Sequence, residues 1–152
     1  NGARISNNSW GGGGASSSLT AAVQRAQAAG HVVVAAAGNS GQNGDRVPSY
    51  PAFYATQFDN VVSVAATDSA DRLAAFSNFG VASATLAAPG VSVVSTLPGG
   101  RYGSMSGTSM AAPHVAGALA LLWDAEPTLT HKQVIDRLKR SVDTLPQLAG
   151  VV

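Results

Sequence analysis

The sequence predicts a three-layer α/β/α fold with a mainly parallel sheet, and three observations carry that prediction. A strand, a helix and a second strand follow one another over residues 4–37. That order is a βαβ unit, whose two strands run parallel. The second strand, His31-Val32-Val33-Val34-Ala35-Ala36-Ala37, is apolar along nearly its whole length, as a strand covered on both faces must be. Residues 110–123 form a long, small-residue apolar stretch without one charge, the pattern of a helix buried on all sides.

The elements follow in order. Residues 4–8 make a short strand, then Trp10 and four glycines, Gly11 to Gly14, open a loop. Ser16, Ser17 and Ser18 offer N-caps, and Leu19, Ala22, Val23 and Ala26 recur at helical spacing up to Gly30, a C-terminal stop. Residues 38–51 turn to Gly, Asn, Ser, Asp and Pro and read as a surface loop. Residues 61–66 are a strand, 68–78 a polar connection, and 86–96 short strands around a Pro89-Gly90 turn. Gly99-Gly100-Arg101-Tyr102-Gly103 reads as a loop delivering the chain to Ser109. Ala111, Ala112, Ala116, Gly117, Ala118 and Ala120 are small enough to let strands pack closely on the helix. Pro127 ends that helix, and Thr130 caps a last one whose apolar face is Val134, Ile135, Leu138 and Val142, with Leu129 and Val134 as a staple.

Composition narrows the function. The chain has 152 residues, enough for one domain with a core. Only 11% of them are charged and the net charge is +1, so no basic face invites nucleic acid. No apolar run is long enough for a membrane span. Cysteine is absent, which excludes disulfides, thiolate metal sites and thiol nucleophiles. The chain opens on Asn1-Gly2-Ala3-Arg4 and closes on Ala149-Gly150-Val151-Val152; both ends read as cuts through a domain.

Ser109 is the first candidate for chemistry. It stands two residues after Gly107 at the start of the apolar helix, where unpaired N–H groups and the helix dipole stabilise an oxygen anion. Pro113 falls in the first turn, where its missing N–H costs nothing. An N-cap serine is the bland reading of the same residue. Asn39 follows a parallel strand at its carboxyl edge, where ligands bind in open α/β sheets; its bland reading is a turn asparagine.

The run Ser106-Gly107-Thr108-Ser109-Met110-Ala111-Ala112-Pro113-His114-Val115-Ala116-Gly117 resembles the nucleophile motif of the subtilisin-like serine proteases. Tyr50-Pro51, Phe76-Ser77-Asn78-Phe79-Gly80, Ala88-Pro89-Gly90 and Ser95-Thr96-Leu97-Pro98-Gly99 match the same family, so the resemblance covers nearly the whole chain. It implies that Ser109 is the nucleophile and that Asn39 is the side-chain donor of the oxyanion hole. Ser9-Trp10-Gly11-Gly12 resembles the strand that pairs with an extended substrate, a case of β-augmentation. Ala36, Ala37 and Gly38 would form one wall of the primary specificity pocket, and Ser49 its floor.

The resemblance also shows what these residues lack. A serine nucleophile needs a general base, and no His stands in the family's His-Gly-Thr-His context, nor any Asp in its Asp-Ser/Thr-Gly context. His114 lies five residues along the helix, about 140° around it, and matches a structural histidine. His31 is roughly 25 Å from the active edge, His131 is expected to be exposed, and Asp124 is about 22 Å down the helix. Residues 1–152 are therefore expected to be the carboxyl-terminal part of a catalytic domain, unstable and inactive alone, with the triad Asp and His elsewhere. The family suggests calcium near residues 50–54, but Thr85 stands where a carboxylate is needed, so no metal is assigned. The expected partner is a polypeptide substrate, with no nucleic acid and no membrane. The family implies an extracellular protein, monomeric at full length. A non-catalytic peptide-binding homologue is the alternative.

Overall fold

A computed structural model describes residues 2–152; of the expected elements only the initial Asn1 lies outside them. Four parallel strands form the main sheet: β1 (Ile5–Asn8), β2 (Val32–Ala36), β3 (Val61–Thr67) and β4 (Leu86–Pro89), side by side in chain order. Their register is continuous, with Ile5 beside Val32, Val33 beside Val61 and Val64 beside Leu86. All four strands therefore end along one edge. Helix α1 (Ser17–Ala28) makes the β1-to-β2 crossover. Of the three expected caps Ser16 takes the role, accepting from the Leu19 N–H, and Gly30 adopts the positive φ of +70° that closes the helix.

The pleat sorts the core into two layers, because successive side chains point to opposite faces. Val32, Val34, Ala36, Val62, Val64 and Ala66 face α2 (Thr108–Ala125) and α3 (His131–Ser141). Val33 and Val61 face α1 and the 3-10 turn Ala52–Thr56, packing with Val23 and Tyr54. The three-layer fold with a mainly parallel sheet is thus as expected. Among the described residues no helix is long and apolar enough to cross a membrane.

Three expectations need correction. Residues 101–103 are not loop: Arg101–Met105 is a strand, β6, antiparallel to β5 (Val93–Leu97), and only Pro98, Gly99 and Gly100 make the turn. β5 falls among the short strands expected over residues 86–96, whereas β6 lies largely exposed and no hydrophobic alternation marks it. Helix α2 is not buried on all sides. Ala111, Ala112, Val115 and Leu119 face the sheet, whereas Gly117, Ala118 and Ala120 point outward and Leu121 is 76% exposed. His131 is half-buried rather than exposed, its Nε2 3.2 Å from Asp59 Oδ1; the short Gln27–Asp59 bond brings that carboxylate to the start of α3.

Candidate active site

The site is assembled where the carboxyl edge of the sheet meets the amino end of α2. Gly107 N–H donates to Gly90 O at 2.8 Å, which seats the start of α2 against the end of β4. A side chain at Gly90 would collide with Ala66 and with Gly107 O, so this close approach requires glycine. Ser109 then sits in the first turn of α2, and no N–H···O bond from its amide is found among the described residues, as expected of a helix's first donors.

Ser109 and Ser9, one hundred residues apart, are joined twice. Ser109 Oγ donates to Ser9 O at 3.1 Å, and Ser9 Oγ donates to Ser109 O at 2.8 Å. Asn39, just beyond β2, is tied to the same helix start. Its Oδ1 accepts from Thr108 N–H at 2.8 Å and from Thr108 Oγ1 at 2.9 Å. Thr108 Oγ1 in turn accepts from Gly38 N–H at 3.1 Å. With Oδ1 so engaged, Asn39 Nδ2 faces the space beside Gly107. The point where a Gly107 Cβ would stand lies 3.6 Å from Asn39 Nδ2, from Ser109 N and from Met110 Sδ, so two donors without a partner among the described residues border one small volume beside the Met110 thioether.

The remaining expected residues border this volume. Gly12 N–H donates to Tyr50 O at 3.0 Å, which holds residues 10–12 beside residues 49–50. Ser49 Oγ lies 3.6 Å from the Cβ position of Gly11 and 3.6 Å from that of Gly38, so it stands between the two walls. Ala36 and Ala37 are buried beneath, and Trp10 is 54% exposed at the rim. Ser109, Asn39, Ser9, Gly11, Gly12, Gly38 and Ser49 are therefore brought together.

The imidazoles are not. His114 borders the same cleft of about 420 Å³ as Ser109, but its Nδ1 is 2.8 Å from Met110 O. His31 is bonded to Ala3 O and Ser6 Oγ at the opposite end of β2. Among the described residues no carboxylate or imidazole is hydrogen-bonded to Ser109. At Thr85, Oγ1 accepts from Ser63 N–H at 3.0 Å.

Sequence reasoning passed over Thr108 and Asn78. Thr108 lay inside the motif with no role assigned, and Asn78 was grouped with a polar connection, yet it is 5% exposed and bonded to the turn that carries Asn39. Its place in Phe76-Ser77-Asn78-Phe79-Gly80 was the available signal.

Helices on both faces of a parallel sheet, with the site at the carboxyl edge, define an open α/β domain. The Subtilase family profile matches residues 1–151, and the chain belongs to that family. It is 47% identical over 110 residues to Subtilisin of Bacillus pumilus, covering 72% of this chain and 38% of that protein. Subtilisin DY of Bacillus licheniformis is 49% identical with the same coverage of each. The crystal structure of a cold-adapted subtilisin-like serine proteinase superposes with a TM-score of 0.83 at 36% identity, covering 96% of this chain and 51% of that one. The chain thus spans about half of that structure and less of the two subtilisins.

Proposed function

We propose that this chain forms the nucleophile, oxyanion and substrate-edge part of a serine endopeptidase, with the general-base His and its orienting Asp supplied from outside residues 1–152. The observation that supports this reading is that Asn39 Nδ2 and the Ser109 amide nitrogen both lie 3.6 Å from one point beside Gly107, in the first turn that carries the Ser109 hydroxyl. Ser109 Oγ attacks the scissile carbonyl carbon as its proton passes to the imidazole. The carbonyl oxygen becomes the oxyanion held by the two donors. Collapse breaks the C–N bond, the amine leaves with the proton, and water then hydrolyses the Ser109 ester by the same route.

The substrate is an extended polypeptide lying along Ser9, Trp10, Gly11 and Gly12, with one side chain entering between Gly11 and Gly38 above Ser49. No step uses a metal, a nucleic acid or a membrane. In this reading the setting is extracellular and the full-length protein a monomer. The outward face of α2, carrying Leu121, is where the part bearing Asp and His packs in this reading.

The test is hydrolysis of a chromogenic peptide. The folded 152-residue chain is expected to be inactive, and the protein carrying the Asp and His segment active, with activity lost in Ser109→Ala. Activity of the monomeric chain alone, lost in Ser109→Ala, would overturn the division of the triad. Peptide binding without hydrolysis by the longer protein would instead establish the non-catalytic homologue. An upstream Asp-Ser/Thr-Gly and His-Gly-x-His in the reading frame would sink that alternative.

A further inference from the structure

We propose that Asn78 is the positioning residue that sets Asn39 at the height needed to share an oxyanion with Ser109; this rests on the peptidase reading above. Asn39 is itself exposed, and among the described residues its side chain is held through Oδ1, by Thr108. Where Nδ2 points therefore depends on the backbone that carries it. Gly38 N–H donates to Thr108 Oγ1 and Gly41 N–H to Phe76 O, but Asn78 makes the largest share of the bonds to that backbone. Asn78 N–H donates to Gly38 O at 2.9 Å. Asn78 Nδ2 donates to Ala37 O at 3.0 Å, and Asn78 Oδ1 accepts from Ser40 N–H at 3.0 Å and Gln42 N–H at 3.1 Å. Four hydrogen bonds thus bracket Asn39 on both sides without touching it.

The chemistry selects an amide. One planar group must donate to the carbonyl before Asn39 and accept two N–H groups after it, which among side chains of this size only Asn does. Gly38 closes the fit: its φ is +112°, and a Cβ there would run into the Asn78 amide. Asn78 is in turn fixed to the sheet. Ser77 Oγ accepts from Ala66 N–H at 2.9 Å, inside β3, and donates to Asn78 O at 2.9 Å. Position passes from β3 through Ser77 and Asn78 to the Asn39 turn, and from Asn39 to Thr108 at the start of α2.

The test compares kcat in two backgrounds, on the active protein with its Asp and His segment present. Asn78→Ala is expected to lower kcat about 10- to 100-fold, the scale of an ångström-sized misplacement. In an Asn39→Leu background the same change is expected to cost less than about 2-fold, because the group it positions is gone. Equal losses in both backgrounds, or no loss with Asn39 intact, would overturn the proposal and leave the peptidase reading standing. An undiminished kcat in Asn39→Leu alone would overturn the oxyanion reading and this proposal with it. Should Asn78→Ala not fold, Asn78→Asp replaces it in the same comparison. It keeps the shape and the oxygen that accepts from Ser40 N–H and Gln42 N–H but loses the donor to Ala37 O. Amide exchange at Ser40 and Gln42 then reports whether the clamp has loosened.

Discussion

Asn39 and Gly107 make opposite demands on one small volume, and each gives a prediction. Asn39→Leu keeps the size of the side chain and removes its donor. On the active protein kcat is expected to fall by about 10²–10³, the loss known for the corresponding donor in subtilisin, with KM nearly unchanged. Gly107→Ala puts a methyl 3.6 Å from both donors and strains a backbone held at φ +157°, so it is expected to lower both kcat and the melting temperature. Asp45 shows a different residue-scale effect. Burial raises its pKa, but hydrogen bonds from the Ser83 side chain and from the backbone at Ser83, Ala82 and Val81 outweigh that and leave it below the ordinary 3.8. Asp45→Ala should cost about 1 kcal/mol in denaturant unfolding through the lost charge-assisted bonds. A short motif surrounds Ser109 and Asn39 and singles them out in the sequence. Thr108 and Asn78 also stand inside motifs, but what they do rests on partners 36 to 70 residues away, which a motif does not name.

Helix α2 carries the sharpest contrast between elements. Leu119 is fully buried against the sheet, and Leu121, two residues on, is 76% exposed. Leu119→Ala should cost about 2–5 kcal/mol, whereas Leu121→Gln should lie within about 0.5 kcal/mol and reduce self-association of the chain by light scattering. In the longer protein the same Leu121→Gln should destabilise, because a buried Gln there would need partners. Helix α3 is held at its start by a reciprocal capping box between Thr130 and Gln133, and Thr130→Ala should cost about 1 kcal/mol. Strands β1 to β3 and all three helices were legible from period and caps. Of the antiparallel pair, β5 lies within the strands expected over 86–96, but β6 was not legible: it buries almost nothing, so its sequence carries no alternation and Gly103 read as loop.

Across the molecule, the parallel sheet was legible because burial on both faces forces apolar runs such as Val32, Val33 and Val34, while the exposed side of α2 was not, since an apolar helix reads the same whether or not a neighbour covers it. Asp45, Asp59 and Asp68 all have lowered pKa values: hydrogen bonds decide the first; the Gln27 amide, then His131 and Lys132, the second; the Arg72 backbone and side chain the third. A carboxylate whose folded pKa lies below its unfolded value stabilises fully above the unfolded value and loses that contribution as pH falls through the folded one. The melting temperature should therefore be flat with respect to these groups from pH 7 to about pH 5 and decline below pH 4, as a calorimetric pH series would show. The Ser9–Ser109 pair, finally, bears on the order in which the protein is made. Ser109 is set by a residue 100 positions earlier and Thr108 by one 69 positions earlier, contacts that close only after the intervening chain has collapsed. These bonds cannot form before residues 108 and 109 have been made, so the site is complete only once α2 has docked on the sheet.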